Sequence, residues 1–468
     1  MYHFELPTTE AISFSDFCID QSNNKEYGFR FPQITEARAN LRASLKEAKR
    51  AETLANKDIL KLVKVIEEYI PQIQSLMTCV AHDDIGFKSE PTFSWRSTLS
   101  ANIMKTAPKF STHGLHADYA FTLVTYGFAL CNLGWSIVNA LGPYEQDRAI
   151  SDSSRKLKDE QLQISVSFLC KASGLFSYIS DTVLPGWEVD RTNAPLGYNR
   201  PPELTREVNS ALSKMALADA QTLAIRKLLS KSAFDSNIAP GPPLPSSHPS
   251  PSLLAKLHLE CGTLYSSARS LMKTVGLSKS SNNTAEVVSD LRKHLAEGAT
   301  FHEALGHKWL GVTAGENGGS DKGGEAVAFV AWSKEELEEL KDSGKQISLG
   351  KNEREISGQK KGRIVDELAS INVFLKHYRT MNDSLHFQPV PTQSDLQRLI
   401  PTGTMAVVPK PFVPPQATFG PGSVEHLRNK AEHLEVQDSF PSEPGSSAPM
   451  DHDTVSPKGN YAGAGSYF

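Results

Sequence analysis

Two histidines and a glutamate in the segment HEALGH, residues 302 to 307, are the side chains whose types and spacing could most readily bind a catalytic metal. Zinc peptidases use His-Glu-x-x-His on a helix, where histidines four residues apart share one face and the glutamate polarises a water. His302 and His307 are five residues apart. On a helix their rings would therefore point about 140° away from each other. We interpret them as ordinary helix residues, one ring near the packed side and the other near solvent.

The other segments that could do chemistry do not match a catalytic pattern. The glycine-rich segment GVTAGENGGSDKGGEA lacks the Lys-Ser/Thr ending of a phosphate-binding loop, and the sequence has no GxGxxG or GxSxG. Paired acids such as Glu67 and Glu68 are interpreted as solvated helix faces. The sequence therefore predicts a protein that is not an enzyme, with no catalytic residues, no cofactor and no metal.

The composition is that of an ordinary globular protein. The chain has 468 residues, of which 39% are hydrophobic and 22% charged, with a formal net charge of −4. This charge gives no basic footprint, so nucleic-acid binding is not expected. The five cysteines form no CxxC pair, which favours a reducing compartment over a disulfide framework. Because the N-terminus also lacks the regions of a secretory signal, we expect a cytoplasmic protein.

An apolar segment at residues 119 to 141 is long enough to span a membrane. Polar residues interrupt it, among them Asn132, Ser136 and Asn139, and its flanks carry no basic anchors. These features favour a central buried helix over a transmembrane one.

Hydrophobic periodicity close to 3.6 residues recurs along most of the chain and predicts a mostly α-helical protein. Short strands are expected only in the first 35 residues, which are rich in aromatic residues and proline. Adjacent helices should pair antiparallel, as in a bundle or a solenoid. The predicted helices cover residues 34–78 and about 116–141, 156–183, 203–231, 252–275, 283–309, 325–342 and 361–382.

The C-terminal part of the chain differs in composition from the rest. Residues 413–468 are rich in Pro, Gly and Ser and cannot bury enough apolar surface to offset the entropy of ordering. We expect this segment to be a flexible tail, with a short helix possible at residues 424–437.

Six short segments occur in the order and spacing typical of a BRO1 domain. They are FELPTTEAISF at the start, TFSW, KASGLFSYISDTVL, ALADAQTLAIRKLL, LLAKLHLECGTLY and NDSLHFQPVP. The sequence thus resembles the BRO1 family over residues 1–412. The resemblance implies a boomerang-shaped α-solenoid with a small β-element near the N-terminus.

The resemblance also implies a protein-binding module. BRO1 domains present an apolar patch on their concave face to the amphipathic C-terminal helix of a filament-forming ESCRT-III subunit, which is helix-in-groove recognition. The match of LLAKL to the family's aliphatic pair implies contacts through Leu253 and Leu257. An aromatic anchor of some relatives is an alanine here, which shifts the implied contact to the adjacent Ile225. Asp159 matches an acidic groove residue, and Gln163 stands where relatives can carry a lysine.

The segments HKWLGVTAGE and GGEAVAFVAWSKEELEELK resemble the fungal pH-response regulators of this family. This resemblance implies an ESCRT-associated adaptor of fungal ambient alkaline-pH signalling, with other components of that pathway as further partners. Such an adaptor would reach endosomal or cortical plasma-membrane sites peripherally, through its partners. The alternatives are an endosomal sorting or ubiquitin/cargo adaptor with the same fold and, from the His302 helix, a metal-dependent hydrolase.

Overall fold

The computed structural model describes residues 1–50, 58–101, 107–147, 149–190, 200–235, 242–274, 286–343 and 351–428, with the backbone alone described at 188–190, 351–357 and 359–360. Helices dominate this part of the chain. They are α1 (Phe14–Phe17), α2 (Arg30–Arg50), α3 (Ile59–Ala81), α4 (Leu115–Leu141), α5 (Asp152–Tyr178), α6 (Leu184–Asp190), α7 (Arg206–Asp235), α8 (Pro251–Thr274), α9 (Ser289–Asn317), α10 (Gly323–Ser343), α11 (Lys351–Met381) and α12 (Gln393–Gln397).

Each long helix packs against the next long helix in sequence, from α2 to α11. Side-chain contacts show that α5 and α7 run antiparallel. The Ser180 hydroxyl, just after α5, bonds to that of Ser210 near the start of α7, whereas Asp159 near the start of α5 accepts from Ser230 near the end of α7. This arrangement confirms the predicted mostly α-helical solenoid.

Two small antiparallel sheets lie at the N-terminal end of the solenoid. One sheet has the order β1–β4–β5 and the other pairs β2 with β3. The expectation that strands occur only in the first 35 residues was incomplete, because β3–β5 follow α3. The run TFSWR in β4 alternates, with Phe93 and Trp95 buried, but five residues make too short a signal to predict. The strands are β1 (Thr8–Thr9), β2 (Cys18–Asp20), β3 (Ile85–Phe87), β4 (Thr92–Arg96) and β5 (Lys109–His113).

A buried carboxylate joins this β-element to the helices. Both oxygens of Asp118 in α4 accept hydrogen bonds from the guanidinium of Arg38 in α2, at 2.8 and 3.1 Å. The same carboxylate accepts from the Tyr69 hydroxyl of α3 and the Trp95 indole of β4, both at 2.8 Å. All four side chains are buried. Because every charge here has a partner, the cluster ties four elements together without leaving a buried ion uncompensated.

The buried apolar side chains form two main clusters. The larger is built chiefly on α2–α7, and the second is built chiefly on α8–α11 with Ile225 of α7. The apolar helix α4 lies inside the first cluster, where Phe121, Leu123 and Phe128 are fully buried. Removal of such side chains from water is the main stabilising contribution to a fold of this kind.

Two described segments, Leu115–Gln146 and Asp152–Trp187, are long and apolar enough to cross a membrane by length and composition alone. The packing of the protein buries 72% of the most apolar window of the first segment and 61% of that of the second. The burial of the first segment agrees with the interpretation of residues 119 to 141 as a central core helix.

After α12 the chain is extended and crosses back over the helices. We name residues 403–412 the strap. It is fixed to three helices in turn by hydrogen bonds from backbone amides: Thr404 N to Lys256 O of α8 (3.1 Å), Ala406 N to Gln221 Oε1 of α7 (2.8 Å) and Lys410 N to Cys170 O of α5 (2.9 Å).

Thr418 and Phe419, a few residues after the strap, contact α3 and the segment before α2. Phe419 is buried with its ring against that of Tyr27, and Thr418 N donates to the Ser75 hydroxyl at 2.7 Å. This part of the predicted flexible tail is therefore held against the domain. Residues 429–468 lie outside the described residues, so the flexibility predicted for them stays a prediction. The same holds for most of the short helix predicted at 424–437.

Candidate functional site

The two leucines matched to the family's aliphatic pair differ in exposure, although they share one face of α8. Leu253 is 41% exposed, whereas Leu257 is 3% exposed and packs in the second core cluster. The two residues are four apart, about 40° around the helix, and Leu257 packs in one cluster with Ile225 of α7, whereas Leu253 lies outside that cluster. Leu253 is available to a partner in this structure. Leu257 is covered by its own chain here, so its contact with a partner, which the resemblance implies, stays a prediction.

The residue of α7 for which the resemblance implies a contact is also buried. Ile225 is 2% exposed and belongs to the second core cluster with Leu254 and Leu257. The exposed aliphatic residue of this helix is Leu228, at 40%. Three residues separate Ile225 and Leu228, about 60° around the helix, which is enough to move the side chain from the α8 interface to the surface. The sequence analysis missed Leu228 because both residues fit one apolar stripe.

Asp159 is engaged within the domain. Its carboxylate accepts from the Tyr144 hydroxyl at 2.5 Å, from Arg155 Nη1 at 2.7 Å and from the Ser230 hydroxyl at 2.8 Å. Burial and then the hydrogen bond to Asp159 raise the pKa of Tyr144, so this phenol stays a donor. The network joins the start of α5 to the end of α7. Asp159 thus positions these two helices, and three internal donors already occupy most of its acceptor sites.

A cationic side chain lies beside the position where relatives can carry a lysine. Gln163 of α5 is exposed, and its side-chain oxygen accepts from the ammonium of Lys227 in α7 at 2.9 Å. The neighbouring helix therefore supplies a positive charge next to Gln163. This contact was not predictable from either residue alone, since it depends on the pairing of α5 with α7.

Three exposed aliphatic residues lie close to this contact, and we name them the apolar row: Ile164 of α5, Leu228 of α7 and Leu253 of α8. Ile164 and Leu228 directly follow the bonded pair Gln163 and Lys227 in sequence. Leu253 lies at about the same level along the helices. Gln221 of α7 is bonded to Leu257 of α8. Because these helices run antiparallel, Leu228, which follows Gln221, and Leu253, which precedes Leu257, are displaced from this contact in the same direction.

The apolar row also lies beside the strap. Leu228 is seven residues after Gln221, which the strap contacts, and a spacing of seven returns to nearly the same side of a helix two turns away. Leu253 is likewise seven residues before Glu260, whose Cα would lie 2.8 Å from a Cβ placed on Gly403. The strap and the row therefore occupy neighbouring positions on one face of α7 and α8. An amphipathic helix lying parallel to the strap could bury the row, with Lys227 near its polar side.

The two histidines of HEALGH do not converge. His302 Nδ1 lies 2.9 Å from Nδ1 of His258 in α8, whereas His307 Nδ1 lies 2.8 Å from Glu336 Oε2 in α10. Both rings are buried, so the expectation that one lies near solvent was wrong; α10 covers His307. Within the described ranges, no three His, Cys, Asp or Glu side chains are grouped as metal ligands.

Comparison with protein families gives one match that covers most of the chain. The BRO1-like domain family matches residues 18–433. A pH-response regulator protein palC of Cryptococcus neoformans var. neoformans serotype D (strain B-3501A) is 33% identical, over 100% of this chain and 99% of its own length. A second palC protein, from Yarrowia lipolytica (strain CLIB 122 / E 150), is 24% identical over 88% of this chain and 94% of its own.

Solved structures with the same fold agree with this match. The structure of an ALIX BRO1 CHMP4C complex superposes with a TM-score of 0.59 at 16% identity, covering 88% of this chain and 96% of that one. ALIX in complex with the SIVmac239 PYKEVTEDL late domain gives 0.60 at 14% identity, covering 93% of this chain and 53% of that one. Family match, relatives and fold together show that the chain belongs to the BRO1-like domain family and, within it, to the palC-type pH-response regulators.

Proposed function

We propose that this protein is a non-enzymatic, ESCRT-associated adaptor of fungal ambient alkaline-pH signalling. Its partner is the amphipathic C-terminal helix of a filament-forming ESCRT-III subunit, which binds across α5, α7 and α8. The observation that carries the proposal is the apolar row, exposed beside the strap on neighbouring helices. A solved relative of the same fold is a complex with CHMP4C, which supports a protein ligand for this fold.

The proposed contacts follow from what the structure leaves uncovered. Leu228 and Leu253 would be the aliphatic anchors, with Ile164 at the edge of the same site. A few well-packed anchors of this kind supply most of the binding energy at protein interfaces. Lys227 would pair with an acidic residue on the polar side of the bound helix and set its orientation. Asp159 would act indirectly, because its network fixes α5 against α7.

The cellular setting is part of the same proposal. The protein would be cytoplasmic and would be recruited to endosomal or cortical plasma-membrane sites through its ESCRT-III partner and other pathway components. The identity to palC regulators supports the pathway. The role would be scaffolding, in which the adaptor brings pathway components together and makes or breaks no bond.

The double variant Leu228→Asp/Leu253→Asp tests the proposed site. Each anchor is expected to contribute at least about 1 kcal/mol, so affinity for the ESCRT-III C-terminal helix should fall at least about 30-fold. Fluorescence anisotropy of a labelled peptide with the full chain would measure this fall. Leu60→Asp/Val373→Asp is the matched control, since it places the same charges at exposed aliphatic positions on α3 and α11.

Two results would contradict the proposal. One is wild-type affinity in the folded Leu228/Leu253 double variant, with folding checked by circular dichroism. The other is an equal loss of affinity in the control. If the wild-type chain binds ubiquitin and not the ESCRT-III helix, the alternative of an endosomal sorting or ubiquitin/cargo adaptor replaces it. Stoichiometric zinc in the purified protein would favour the metal-dependent hydrolase instead.

A further inference from the structure

A cleft at the opposite end of the described domain from α8–α11 has the chemistry of an anion-binding site. It lies between α2 and the β1–β4–β5 sheet and has a volume of about 220 Å³. Four cationic side chains line it, together with one carboxylate, that of Glu10. The cations are Arg42 and Lys46 of α2, Arg96 of β4 and Lys109 of β5.

The cations are placed where like charges repel. Arg96 and Lys109 are directly paired across the antiparallel strands β4 and β5, and Arg42 and Lys46 are four residues apart on α2. Like charges in either arrangement destabilise the folded state. Glu10 compensates only part of this charge. It pairs with Lys109 at 2.6 Å, and the hydrogen bond from Lys109 is the main reason that its pKa is lowered.

Arg42 has no carboxylate partner among the described residues, whereas Arg38, one turn earlier on α2, has one. Arg38 and Arg42 are four residues apart on the same side of α2, and Arg38 is paired with the buried Asp118. The Nε of Arg42 is buried and has no hydrogen-bond partner in the part of the chain that the structure describes. A buried donor without an acceptor is unfavourable, so the fold itself leaves the guanidinium of Arg42 only partly satisfied.

We propose that this cleft binds a phosphate group. The guanidinium of Arg42 would donate to the phosphate oxygens, the ammonium of Lys46 would neutralise their charge, and Arg96 would close the site from the sheet. Ser94 also lines the cleft, and its hydroxyl is bonded to that of Ser111 at 3.0 Å. The site uses none of α5, α7 and α8, so it is independent of the proposed helix-binding site.

The phosphate could be free or carried by a lipid headgroup, and the experiment separates these sources. Isothermal titration of the full chain with inorganic phosphate and with inositol trisphosphate measures the soluble ligands. Sedimentation with phosphatidylcholine vesicles, with and without a phosphoinositide, measures the membrane-bound form. Saturable one-to-one binding is expected. A preference for inositol trisphosphate and phosphoinositide vesicles assigns a headgroup, and equal affinity for both soluble ligands assigns a free phosphate.

Arg42→Gln/Lys46→Gln should weaken binding of the preferred ligand at least about tenfold. Lys341→Gln/Lys376→Gln removes the same charge from exposed positions on α10 and α11, and should leave the affinity unchanged. Arg96→Gln, on the exposed sheet surface, provides a second test that does not alter α2 and should weaken binding several-fold. The proposal is overturned if the wild-type chain shows no saturable binding to any of these ligands, or if both double variants lose affinity equally.

Discussion

Asp118 and Asp159 have similar partners in very different surroundings. Each carboxylate accepts hydrogen bonds from one arginine and one tyrosine. Asp118 is fully buried among α2, α3, α4 and β4, whereas Asp159 is partly exposed at the junction of α5 and α7. The same set of partners therefore has different consequences. At Asp118 each buried charge needs the other, because water does not reach either of them. At Asp159 water can solvate the charges and so replace part of the stabilisation that the hydrogen-bond partners provide.

The largest difference should appear on removing each charge. Asp118→Asn leaves Arg38 buried without a counter-charge and should lower the free energy of unfolding by about 3–5 kcal/mol. Asp159→Asn should lower it by only about 1 kcal/mol, because Arg155 keeps its contact with Asp152 and water reaches the site. Urea unfolding followed by circular dichroism measures both. Equal losses in the two variants would show that burial does not distinguish these carboxylates.

Leu257 and Leu253 allow the same comparison of a buried and an exposed side chain within one helix, α8. Leu257→Ala should cost about 2–4 kcal/mol of stability, because it leaves a cavity in the second core cluster. Leu253→Ala should change stability by no more than about 0.5 kcal/mol, since its side chain is exposed. Its expected effect is on binding, with affinity for the ESCRT-III helix about fivefold lower. A stable Leu257→Ala variant with weakened binding would instead restore Leu257 as a direct contact.

A further comparison concerns the buried pair His258 and His302, which carries no charge. Burial lowers the pKa of His258 to about 3, and it also lowers the pKa of His302 well below its ordinary value. The unfolded chain therefore takes up protons below about pH 6.5 that the folded chain does not. The free energy of unfolding should then fall as the pH is lowered towards 3, by about 1.4 kcal/mol per pH unit for each histidine.

His258→Gln should remove one such contribution, so that stability falls less steeply between pH 6 and 4. His377→Gln, at an exposed position on α11, is the control and should keep the wild-type slope. Chemical unfolding at a series of pH values provides the measurement. An unchanged slope in His258→Gln would mean that this ring is protonated in the folded protein over that range.

The sequence predicts the helices well because each long helix repeats its apolar stripe many times. The helix expected at 252–275 is α8 (Pro251–Thr274), within one residue at each end. The strands β3–β5 were missed because three to five residues contain too few periods. The helix expected at 34–78 is two helices, α2 and α3, and residues 51–57 between them lie outside the described residues.

The candidate site was less predictable, for a geometric reason. The sequence places Leu253, Leu257 and Ile225 on apolar stripes, but only the neighbouring helices decide which side of each stripe is covered. The contact of Lys227 with Gln163 and the position of Leu228 depend on the register between α5, α7 and α8. The strap contributes a further element, since its residues bond to helices more than 100 positions earlier in the chain.

The strap has a consequence for how the molecule can come apart. A simple row of helices can fray from its last member inward, because each helix holds only its neighbours. Here the chain after the last long helix returns along the row and is fastened to α8, α7, α5 and finally α3. Fraying of α11 does not free the C-terminal segment, which stays anchored near the start of the domain. The returning chain thus couples the C-terminal end of the solenoid to its N-terminal end, so we expect the two ends to unfold together.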